Sequence, residues 1–72
     1  MSKPKTLGHL LKETRCKKKL TQVQVAEKSN LHWNTVAKIE REEQDAQFPT
    51  ALAIAEVLGI PTSEITKYYR KF

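Results

Sequence analysis

The sequence predicts an all-α domain of five short helices. Three observations lead there. Apolar residues recur three and four positions apart through most of the chain, as one buried helix face requires. No stretch alternates apolar and polar residues long enough to make a useful strand, and no internal repeat is present. At 72 residues there is room for one small core, and a domain of this size buries only about 60% of its unfolded surface.

Met1 to Lys5 (MSKPK) read as a flexible basic arm, because Pro4 biases Lys3 away from helix. The domain proper is taken as residues 6–72. Thr6 suits the N-cap of a first helix running to about Lys18, with Leu7, Leu10, Leu11 and Thr14 on its inner face. Lys17, Lys18 and Lys19 close it, where cations complement the helix dipole. Thr21 and Gln24 stand three apart, the spacing of a capping box, and start a second helix of about Gln22 to Lys28.

Ser29, Asn30 and Leu31 make a tight turn, with Asn30 best suited to a left-handed conformation. A third helix follows, about His32 to Arg41. Glu42 to Gln47 is a polar link, and Phe48-Pro49-Thr50 opens a fourth helix, since proline is tolerated in a first turn. Leu52, Ile54, Ala55 and Leu58 give it an apolar face, and Gly59 ends it. Pro61-Thr62-Ser63 restarts the chain into a fifth helix, about Glu64 to Arg70.

The centre of interest is Leu20 to Glu40, two short helices across a tight turn. Ala26 is small where the two would cross, so their backbones can approach. Leu31, Val36 and Ile39 are apolar plugs that aim the third helix, and Val25 and Leu20 extend the same core. That leaves positions 33, 34, 35, 37 and 38 facing outward. Thirteen Lys and Arg against eight Asp and Glu give a formal charge of +5, which favours a polyanionic partner. In a small basic chain, the arrangement suggests a helix presented to the DNA major groove.

Several function classes recede. No apolar run approaches the roughly 18 residues of a membrane span, and no signal-peptide segment is evident, so a cytoplasmic location is expected. Cys16 is alone, expected to be partly buried and inert, and supports neither a disulfide nor a metal pair. Glu42, Glu43 and Asp45 lie in a polar link without a nearby histidine, so catalysis is not expected. No cofactor is implied.

LLKETR with Leu11 and Arg15, LTQVQVAEKSNL, TVAKIER and ALAIAEVLGI together resemble the Cro and phage-repressor helix-turn-helix domain, the XRE family. The resemblance runs from about Leu7 to Ile65, and its helix-turn-helix covers about residues 21–41. It implies a lambda-repressor-like fold and a sequence-specific double-stranded DNA-binding regulator, a repressor acting as a homodimer on an inverted repeat. Family members usually carry glycine at three places held here by Lys19, Asn30 and Glu42. Lys19 and Glu42 therefore imply either left-handed residues or locally altered turns.

Carried over by position, the resemblance implies that Gln22 bonds a backbone phosphate, aided by the helix N-terminus. Trp33, Asn34 and Lys38 fall where bases are read; Asn34 suits adenine and Lys38 suits guanine. Thr35 is placed for a phosphate or a thymine methyl group, and Arg41, Lys3 and Lys5 for phosphates. Arg15 and Glu40 are expected to form a structural ion pair between the first and third helices.

Other readings stand beside these. Trp33 can instead fold back as a lid on the core. His32 suits a helix cap or a phosphate, His9 the surface of the first helix, and the lysine run a solvated helix end. Ile65, Tyr68, Tyr69 and Phe72 follow helical spacing, partly to cover the core and partly as a dimer contact. A competing function is an antitoxin or other protein-interaction module on the same fold, with a toxin as main partner. A third is an RNA-binding or co-activator adaptor without base readout.

Overall fold

A computed structural model describes residues 6–69; the expected basic arm, Lys3 and Lys5, and Arg70 to Phe72 lie outside the described residues. Among the described residues there are five helices and no strand: α1 (Leu7–Lys17), α2 (Gln22–Ser29), α3 (Trp33–Glu40), α4 (Phe48–Leu58) and α5 (Thr62–Thr66). Local chemistry starts three of them. Thr6 accepts a hydrogen bond from the His9 amide at 3.2 Å. Thr21 and Gln24 exchange the two bonds of a capping box, at 3.0 and 2.8 Å. His32 caps α3 by accepting the Asn34 amide at Nδ1, 3.1 Å away. α4 begins without a side-chain cap, and Pro49 in its first turn supplies a preset φ.

Four helices end in the same way. After α1, the Leu20 and Lys19 amides reach back to the carbonyls of Arg15 and Cys16. The same paired return joins Leu31 and Asn30 to Ala26 and Glu27, Glu43 and Glu42 to Lys38 and Ile39, and Ile60 and Gly59 to Ala55 and Glu56. This is the Schellman arrangement, which requires one left-handed residue per turn. Lys19 (φ 58°), Asn30 (φ 61°), Glu42 (φ 62°) and Gly59 (φ 74°) supply it. The turns are therefore the standard ones, held by residues that carry a Cβ at three of four places. Leu20, Leu31 and Ile60, just beyond three of these turns, pack against the core.

The core is built from Leu11, Val25, Ala26, Val36, Ile39, Ala51, Ile54, Ala55, Leu58 and Ile65. α4 lies against α1, α2 and α5, while α3 packs on both α1 and α2. Because α3 is covered from two sides, its buried stripe is wide: Val36, Ala37, Ile39 and Glu40. Ala37 is thus buried, not outward-facing as its position predicts, and Ala51 rather than Leu52 is the fully buried residue in the first half of α4. Gly8 is buried too. A Cβ there would collide with the Ile39 carbonyl oxygen, so glycine lets the start of α1 meet the end of α3.

Two further expectations are corrected. Cys16 is exposed, because it falls on the outer face of α1. α5 starts at Thr62, two residues earlier than predicted, after Pro61 in extended geometry (φ −62°, ψ 145°). It stops at Thr66, because the next amides, Tyr68 and Tyr69, bond three residues back to Ile65 and Thr66, a tighter turn than an α-helix. Tyr69 donates its hydroxyl to the Ala46 carbonyl at 2.6 Å and sits edge-on to Phe48, with ring centroids 5.2 Å apart. It ties the chain end to the α3–α4 link. Burial, and then the charge of Asp45, push its ionisation above the ordinary tyrosine range.

Two outcomes follow for stability. Ala26 is 2% exposed, and Ala26→Leu should cost about 1–3 kcal/mol by overpacking, read as a lower urea midpoint. Glu42→Gly removes a left-handed Cβ penalty of about 1–2 kcal/mol but adds a glycine entropy cost of about 0.5–1 kcal/mol. A rise of roughly 0.5–1 kcal/mol in unfolding free energy is expected by the same measurement.

Candidate nucleic-acid interface

The α2–turn–α3 unit carries the site residues that the sequence singles out on these two helices, Gln22 on α2 and Trp33, Asn34, Thr35 and Lys38 on α3. The capping box fixes where α2 starts and places Gln22 in its first turn. The left-handed Asn30 reverses the chain at once, and the His32 cap fixes where α3 begins. Trp33, Asn34, Thr35 and Lys38 then lie on the side of α3 away from the core: Trp33 is 51% exposed and the others are partly exposed. Trp33 does not form a lid on the core. Its ring stacks on His32, centroids 5.9 Å apart and planes 29° from parallel.

Because His32 Nδ1 accepts a hydrogen bond, the neutral ring carries its proton on Nε2. A donor at the N-terminal edge of α3 results, a feature that a cap reading alone does not reveal. Arg41, at the end of α3, is exposed and bonds Glu43 at 3.3 Å. It stands at the far end of the helix from Trp33 and is partnered by a carboxylate.

Behind this surface is a buried charge network. Arg15 grips Glu40 with two parallel bonds, Nε to Oε2 at 2.7 Å and Nη2 to Oε1 at 3.0 Å. A third Arg15 bond, from Nη1, reaches the Leu20 carbonyl at 2.7 Å. Gln22 Nε2 donates to the same Glu40 Oε1 at 3.0 Å. The side chains of Arg15 and Glu40 are only 13% and 3% exposed. The Glu40 hydrogen bond raises the Arg15 ionisation above its ordinary value, against the opposing effect of burial.

Sequence reasoning pairs Arg15 with Glu40 but leaves out Gln22, whose inward bond to Glu40 is long-range and has no local signature. Val23 also escapes it: this valine is 48% exposed on α2, beside Gln22 in the chain. Among the described residues no three His, Cys, Asp or Glu side chains form a metal-holding group, and no helix is long and apolar enough to cross a membrane.

The sequence matches the helix-turn-helix family over residues 11–65, which contain the whole α2–turn–α3 unit. The chain belongs to the XRE-type helix-turn-helix family. A relative, the immunity repressor protein of Bacillus phage phi105, is 45% identical over 60 residues. That match covers 83% of this chain and 42% of the relative, so this XRE-type chain spans less than half the relative's length. The α2–turn–α3 unit, Gln22 to Glu40, lies wholly inside that match and supplies its two helices and turn.

The network yields a stability prediction. Arg15→Met leaves a buried carboxylate unpaired and should cost about 3–5 kcal/mol in urea denaturation. The double variant Arg15→Met with Glu40→Leu should recover much of that loss, because no buried charge is then stranded.

Proposed function

We propose that the chain is a sequence-specific double-stranded DNA-binding repressor that acts as a homodimer on an inverted repeat. The observation that carries this reading is the outward face of α3. Four side chains able to meet base edges or sugars stand on a helix whose opposite face is fixed to the body at Val36, Ala37, Ile39 and Glu40. Kinship with a phage immunity repressor supports the repressing role, and a formal charge of +5 supports attraction to phosphate.

In the proposed complex α3 enters the major groove by its N-terminal half. Asn34 pairs bidentately with adenine, and Lys38 donates to guanine acceptors. Trp33 lays its exposed ring on a thymine methyl group or a sugar, and Thr35 meets a phosphate or a methyl group. The α2 N-terminus receives a phosphate through free backbone amides and Gln22. Arg41 exchanges Glu43 for a phosphate, a positioning contact rather than a reading one.

Dimerisation has an energetic argument. A single module of this kind buries about 600–1,000 Å² on DNA, whereas large specific complexes bury more. Two copies with their reading helices about 34 Å apart would read successive turns of one duplex face. Repression then needs only occupancy of the site.

Selection of bound duplexes from a random pool tests the reading, with salt titration of the winner. One preferred sequence with two-fold symmetry and a steep salt slope is expected. Equal binding to all duplexes, or to none, would sink it. Asn34→Ala should weaken the selected duplex by about 1–3 kcal/mol and relax preference at one base pair. A uniform loss across all sequences would show that Asn34 only positions the protein.

A further inference from the structure

Resting on the reading of Gln22 as a phosphate anchor, we infer that Glu40 is a positioning residue for DNA binding. It acts by holding the Gln22 amide in the one orientation that points its second N–H outward. The argument begins with what Glu40 can do chemically. An ionised carboxylate only accepts hydrogen bonds. The Gln22 side chain facing it must therefore present NH₂ and not its carbonyl, and the observed partner of Oε1 is Nε2 at 3.0 Å. One of the two Nε2 hydrogens is used. The amide is planar, so the second hydrogen and the carbonyl oxygen are fixed in direction once the first is engaged.

Arg15 already holds both Glu40 oxygens, so the bond from Gln22 is not what neutralises the buried charge. It adds orientation. Arg15 also holds the Leu20 carbonyl at 2.7 Å, one residue before the Thr21 cap. The start of α2 and the Gln22 side chain are thus both referenced to one carboxylate on α3. The anchor and the reading helix share a common fixed point, and a phosphate seated at α2 sets the depth and register of α3. Without Glu40 the amide is free to turn over and present a carbonyl to the phosphate, which repels it.

The test is a double-mutant cycle with Gln22→Met and Glu40→Gln. The probes are the labelled duplex recovered by selection and a scrambled duplex of equal length, at matched folded protein concentration. Gln22→Met should weaken binding to both duplexes by about tenfold, as expected for a lost bond to a charged group. In the Glu40→Gln background, the same substitution should cost less than about threefold. Equal costs in the two backgrounds overturn the proposal, as does a Gln22→Met variant that binds as tightly as the parent chain.

Failure of the parent chain to bind either duplex is a different result. It removes the DNA-binding reading itself and this proposal with it. Should Glu40→Gln fail to fold, the parent chain decides by ¹⁵N NMR. One Gln22 side-chain hydrogen should be protected from solvent exchange in the free protein, and the other should shift when duplex is added. Two rapidly exchanging hydrogens, or a duplex that moves neither, overturn the proposal; a purely structural role for Glu40 would not shift the second hydrogen.

Discussion

The carboxylate of Glu40 is the fixed point on which the arrangement of three helices depends. It sits on α3, it is clamped by Arg15 from α1, and it accepts a bond from Gln22 on α2. Burying such a charge costs several kcal/mol, and the pairing that offsets it gives little net stability over apolar side chains of the same volume. Its contribution is direction. Apolar contact fills space but is non-directional, whereas a two-pronged guanidinium fixes both the distance and the angle between α1 and α3. Gly8 lets the start of α1 come against the end of α3 where that grip closes, and Ala26 and Ala37 are small buried side chains on α2 and α3.

The second constraint lies at the helix ends. α2 and α3 have eight residues each, too short to persist alone in water. They survive because caps and Schellman turns satisfy their end groups and pass the chain straight to the next packed element. Each turn needs a left-handed residue, and two of the four are a lysine and a glutamate. At about 1–2 kcal/mol each, that strain is a visible fraction of the 5–15 kcal/mol that typically holds a domain together. The two strained residues flank the α2–α3 unit on either side, so the turns that hold it in place are the ones built under strain.

Legibility in the sequence follows the range of each interaction. Helix starts are readable because caps are local: Thr6, the Thr21–Gln24 pair and Pro49 each announce themselves within four residues. The apolar spacing of Val25, Val36, Ile39, Ile54 and Leu58 is readable for the same reason. Ala37 is not, because its burial depends on α3 being covered by both α1 and α2, which no single helix pattern encodes. Gly8 and the Gln22–Glu40 bond join positions 31 and 18 residues apart in the chain, and only the assembled fold brings them together. The end of α5 is hidden too, because its apolar spacing continues through Tyr68 and Tyr69 while its backbone tightens. Of the five α3 positions that spacing turns outward, Ala37 alone is buried, and the inward bond of Gln22 has no local signature.

Electrostatics distinguishes the two ends of the proposed interface. After α3 come Glu42, Glu43 and Asp45, all exposed, and Arg41 is already engaged by Glu43. A duplex approached along that link would meet carboxylates first, and any phosphate contact from Arg41 must displace one. Before α2 come Lys17, Lys18 and Lys19, all exposed, and then the free amides of the α2 N-terminus. Lys17 is paired with Glu13 at 3.9 Å and the Lys18 ammonium lies beside Gly59, so the helix dipole and Lys19 are what make the α2 end attractive to an anion. Lys19 shows what this arrangement costs. A glycine would relieve its left-handed backbone, yet it would remove a cation three residues before Gln22, at the end that the proposed complex turns toward phosphate.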